Sequence, residues 1–67
     1  MSIHFIFYRT NDVFVAEELL QNNGIKTEIV PTPVQDKAYC GVCIKICSQE
    51  SAKCTEVLSK MDYQLVE

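Results

Sequence analysis

The 67 residues carry 48% hydrophobic and 22% charged side chains, a globular balance that fits neither a disordered chain nor one threading a bilayer. Nine acidic residues against six basic ones give a net charge of −3, and Arg9, Lys26, Lys37, Lys45, Lys53 and Lys60 are scattered, so an electrostatic footprint for nucleic acid is missing. A chain this short buries roughly 60% of the surface its unfolded form exposes, which makes help from oligomerisation, a ligand or a metal an expectation.

The first stretch, 3–8 (Ile-His-Phe-Ile-Phe-Tyr), is aromatic and β-branched with little polarity and predicts a central strand. It is too short for the apolar core of a signal peptide. Thr10 or Asn11 then offers an N-cap, Asp12 sits favourably in the first turn, and Val13, Ala16, Leu19 and Leu20 make one helical stripe. Asn23-Gly24 supplies a left-handed stop.

A second strand is expected over 25–30, ended by Pro31-Thr32-Pro33 because neither proline can donate to a ladder. Residues 31–40 read as a loop. From 41 to 47, Val42, Ile44 and Ile46 alternate with Cys43, Lys45 and Cys47, the period of a strand with one buried face. Ser48 is a candidate N-cap for a second helix with the stripe Cys54, Val57, Leu58 and Met61. Residues 63–66 close the chain as a short strand.

The order βαββαβ in one domain, 1–67, predicts an α+β ferredoxin-like (split βαβ) sandwich. Its four-stranded antiparallel or mixed sheet has the strand order 4-1-3-2 and two helices on one face. Val13, Ala16, Leu20, Val42, Ile44, Ile46, Val57 and Leu58 are the expected core. If Ile3, Phe5 and Phe7 point to the helices, His4, Ile6 and Tyr8 point outward beside Cys43, Lys45 and Cys47 on the neighbouring strand, taken as parallel. That makes an apolar open face, on which a homodimer is expected.

Four cysteines without an export signal argue for thiols in a reducing cytoplasm rather than for disulfides. Cys54 falls on the second helical stripe and reads as core, and Cys43 and Cys47 read as small outward strand residues. Cys40-Gly41-Val42-Cys43 has the C-x-x-C form, but thioredoxin-type chemistry places that motif at a helix N-terminus, and a strand follows here. Cys43 and Cys47 lie about 13 Å apart on a regular strand, whereas two sulfurs on one zinc are at most about 4.6 Å apart. Only Cys40, Cys43 and His4 could approach one ion, so neither a bound metal nor a cofactor is expected. His4, the one histidine, has no evident orienting partner, and the chain shows no phosphate cradle, carboxylate pair or Ser/His/Asp set. A conventional enzyme is therefore not the expectation.

Cys40 follows a loop stiffened by two prolines and precedes Gly41, whose missing side chain lets a partner approach the backbone. Of the four thiols it is expected to be the most reactive, since only the loop offers exposure. The features Phe7, Ala16-Glu17 with Leu20, Gly24-Ile25, Val30-Pro31-Thr32-Pro33 and Cys40-Gly41, in this order and at these spacings, resemble a family of small bacterial selenium/sulfur carrier-like domains. The resemblance implies that Cys40 holds a persulfide or selenopersulfide, passed between sulfur or selenium donor and acceptor proteins. Pro31, Thr32, Pro33, Gly41 and Cys43 would then contact substrate or partner. Residues 34–39 (Val-Gln-Asp-Lys-Ala-Tyr) depart from the basic residue and serines common in that family, and Cys43, Cys47 and Cys54 lie outside the shared motif. The alternative is a non-catalytic dimerising or regulatory module with incidental cysteines.

Overall fold

The apolar alternation of the two inner strands organises the chain. In the computed structural model, which describes residues 2–33 and 38–66, the elements are β1 (Ser2–Phe7), α1 (Thr10–Asn22), β2 (Glu28–Pro31) and β3 (Val42–Cys47). A 3-10 turn (Ser48–Glu50), α2 (Ser51–Val57) and β4 (Tyr63–Val66) follow. The sheet runs β2-β3-β1-β4, the expected order, and all three neighbouring pairs are antiparallel. This is an α+β architecture consistent with a small ferredoxin-like fold. The expectation of a parallel β1–β3 pair is corrected, and with it the side-chain neighbours: His4 faces Lys45, not Cys43, and Phe5 faces Ile44.

On one face Ile3, Phe5, Phe7, Ile44 and Ile46 pack against Val13, Ala16 and Leu20 of α1, Cys54 of α2, and Leu58. Val42 and Val57, also expected in the core, are only partly buried against it. Tyr63 of β4 closes this face with its ring edge-on to Phe5 at 4.9 Å. Leu19, expected on the α1 stripe, is 37% exposed.

Caps set the helix ends. Arg9, in extended conformation, occupies the N-cap of α1 without a side-chain bond, in place of the expected Thr10 or Asn11, and its carbonyl accepts from the Asp12 and Val13 N–H groups. Gly24, at φ 75°, ends α1. The Gly24 N–H donates to the Gln21 carbonyl and the Ile25 N–H to that of Leu20, each at 3.0 Å, a Schellman motif. Ile25 is thereby buried as a clasp on the helix end, and β2 begins at Glu28 rather than at 25. It reaches Pro31, which pairs with Val42; an edge strand tolerates a residue with no N–H. Ser48 opens the 3-10 turn, and Glu50 stands at the N-cap of α2.

The other face of the sheet is less open than its sequence suggests. Ile6 and Cys43, expected outward, are fully buried, and Tyr39 returns across the end of β1 to stack on Tyr8, ring centroids 5.2 Å apart. Of the apolar pair Ile6 and Tyr8 expected to support a homodimer on that face, Tyr8 is the exposed one, at 47%.

Candidate functional site

Cys40 lies where the two ladders of β3 part company. On the β2 side pairing continues past Pro31↔Val42, with the Thr32 N–H donating to the Gly41 carbonyl at 3.0 Å. On the β1 side, extending the register of Phe5↔Ile44 sets Phe7 opposite Val42, yet the Cys40 N–H donates to that same Phe7 carbonyl at 3.0 Å. Gly41 is the extra residue between them and forms a bend, as in a β-bulge, a device that re-aims a side chain. Among the described residues a Cβ placed on Gly41 would meet nothing within 4 Å.

The cysteine is held through each of its polar groups. Its carbonyl accepts from the Thr32 hydroxyl at 2.7 Å, and its thiol donates to the Val42 carbonyl at 2.8 Å. It is half-buried, with its flank against the helix-side core. Thr32 is half-buried too, whereas Pro31, Pro33 and Gly41 are exposed and frame the approach. Thr32, the residue between the two prolines, donates its hydroxyl to the Cys40 carbonyl. Residues 34–37 of the connecting loop lie outside the described residues.

Cys43 borders the same cluster from the opposite face. Its sulfur lies 3.9 Å from the Pro31 carbonyl oxygen. Burial pushes its thiol above the ordinary range, a hydrogen bond with Thr32 acts the other way, and the neighbouring Cys40 adds a small upward push. Thr32 thus touches both cysteines, and the two C-x-x-C positions, set aside on the sequence because no helix follows, share one support.

The remaining thiols are elsewhere. Cys54 is fully buried, and burial, then Glu50, pushes it up to about 11. Cys47 is exposed at the far end of β3, opposite Ser2, beside a groove of about 730 Å³ lined by Lys26, Lys45 and Glu50 among others. Exposure therefore ranks Cys47 above Cys40, which corrects the expectation that only the loop thiol is accessible. His4 sits between Lys45 and Val66, and its buried Nδ1 finds no hydrogen-bond partner among the described residues. The Cys40, Cys43 and His4 set is not brought together, and among the described residues no group of three His, Cys, Asp or Glu side chains could hold a metal ion. Among the same residues no helix is long and apolar enough to cross a membrane.

No curated protein and no solved structure matches the chain. The family described as "Putative Se/S carrier protein-like" does match, over residues 3–65, from the second residue of β1 to the third of β4 with the whole Cys40 cluster inside, and the chain belongs to that family.

Proposed function

We propose that the protein carries sulfur or selenium on Cys40, receiving it from a donor protein as a persulfide or selenopersulfide and delivering it to an acceptor. The observation that carries this reading is the contrast at the bulge: the backbone of Cys40 is held from both sides, while among the described residues a Cβ placed on Gly41 would meet nothing within 4 Å and the rim is exposed. In loading, the Cys40 thiolate attacks the terminal sulfur of a donor persulfide. The new S–S bond forms on Cys40, the old one breaks, and the donor leaves as a thiolate. Delivery is the same exchange with an acceptor thiolate attacking the terminal atom.

Each part of the rim has a task in such an exchange. Gly41 lets a partner's sulfur approach along the backbone, and Pro31 and Pro33 offer a stiff, exposed surface with no N–H of their own to satisfy. The reducing cytoplasm suits a protein whose four cysteines are all free.

The test is loading followed by mass measurement. Incubation with a persulfide donor should add one sulfur, mapped to the peptide containing Cys40. Cys40→Ala should abolish the gain and Cys47→Ser should leave it. Uptake that survives Cys40→Ala and disappears with Cys47→Ser would assign the cargo to the exposed strand thiol and sink this reading.

A further inference from the structure

Cys43 has no role in simple carriage, yet its position is specific. The Cys40 sulfur contacts the Val42 carbonyl oxygen at 2.8 Å. That oxygen and the next Cα share one planar peptide at about 2.8 Å, so the sulfur lies within about 6 Å of the Cys43 Cα. Both residues are tied to the Pro31-Thr32 pair, Cys40 through the Thr32 hydroxyl and Cys43 through the Pro31 carbonyl, and the bend at Gly41 separates their faces. Cys43 is fully buried and so out of reach of an outside partner, while its Cα lies within that short distance of the Cys40 sulfur. Burial also keeps it protonated and quiet at rest.

Loading changes what holds the Cys40 sulfur. The resting contact to Val42 uses the thiol hydrogen. A persulfide's inner sulfur carries no hydrogen, so the loaded side chain loses that tether and is free to turn about its own χ1 over the bend.

We propose that Cys43 is an internal releasing thiol, which discharges loaded Cys40 as free hydrosulfide or hydroselenide and leaves a Cys40–Cys43 disulfide. The inference rests on Cys40 being the loaded residue. In the step, the Cys43 thiolate attacks the inner sulfur of Cys40-S-SH, the Cys40–Cys43 bond forms, and the bond to the terminal sulfur breaks. The terminal sulfur leaves with the electron pair as HS⁻, and the proton that the Cys43 thiol gives up on attack passes to that departing sulfur or to water. Cys43 is oxidised by one electron equivalent and the terminal sulfur is reduced by one. A dithiol reductant must then open the disulfide before the next cycle. The product is an inorganic anion, so this route supplies an enzyme that uses sulfide or selenide, beside direct delivery to an acceptor thiolate.

The experiment loads the wild-type chain and the Cys43→Ser and Cys43→Ala variants with a persulfide donor, removes the donor, and holds each without oxygen or added thiol. Intact mass, free sulfide and the circular dichroism of each variant are followed. Wild type should release sulfide and end two hydrogens lighter than the reduced protein, with both cysteines joined in one peptide. Both variants should keep their cargo at least about tenfold longer. A folded Cys43 variant discharging at the wild-type rate would overturn the inference, as would a wild-type chain that discharges without forming the internal disulfide. The wild-type mass decides this even where a variant fails to fold. Absence of loading, seen before release begins, would count instead against Cys40 as the carrier and remove this step with it.

Discussion

Thr32 shows how much one small side chain can settle. Its hydroxyl holds the Cys40 carbonyl, it bonds to Cys43, and its N–H extends the ladder to Gly41. Thr32→Val keeps the shape and removes the hydroxyl, leaving the Cys40 carbonyl without its donor, at a cost of about 1–2 kcal/mol. Denaturant unfolding should show that loss, and sulfur loading at Cys40 should slow, with Thr32→Ser restoring most of both. Unchanged loading in a stable Thr32→Val chain would mean that the clamp does not position the thiol. The sequence shows Cys54 in the core, because a helical stripe has a period. It cannot show the grip of Thr32: Pro-Thr-Pro signals the end of a strand, and a hydroxyl reaching a backbone carbonyl across a ladder leaves no periodic trace. The exposure of Cys47 was hidden similarly, since alternation assigns a face and not how far along the strand the cover extends.

Of the two helices, α2 is the more weakly anchored. It has seven residues and one fully buried side chain, Cys54. That thiol titrates near 11 in the folded chain, above the roughly 8.5 of an unfolded cysteine, so the folded state keeps its proton longer. The contribution to stability is therefore complete below about pH 8.5 and is lost as pH rises through about 11. Stability measured by denaturant across that window should fall, and Cys54→Ala, about 1 kcal/mol less stable at neutral pH, should flatten the fall. Because Cys43 is shifted in the same direction, part of the slope should remain. The strands teach a different lesson about legibility. Their existence was readable from apolar runs and alternation and their order from the βαββαβ succession of elements, but neither shows direction. The direction follows from the path instead: α1 carries the chain back so that β1 and β2 run the same way, and β3, inserted between them, must run against both. That reversal moves His4 away from Cys43 and removes the one arrangement of ligands that the sequence allowed.

For the molecule as a whole, the sheet buries side chains on both faces, which is how 67 residues gather enough core. Ile6 and Cys43 lie on the face without helices and are still fully buried. Ile6→Ala should therefore act on folding, lowering stability by about 2–5 kcal/mol. That is a large share of the roughly 3–10 kcal/mol available to a chain of this size. A melting temperature unchanged by Ile6→Ala, together with a change in sedimentation mass, would restore Ile6 to an exposed interface.

Phe7 joins the two halves of this arrangement. Its carbonyl holds the Cys40 N–H, while across the sheet it pairs with Tyr63, whose ring lies 6.1 Å away. The strand that props the anchor is β4, which the ribosome makes after the cysteine itself. A nascent chain therefore carries both partners of the Cys40 backbone, Phe7 and Thr32, before the cysteine is made, and the strand that backs Phe7 only after it.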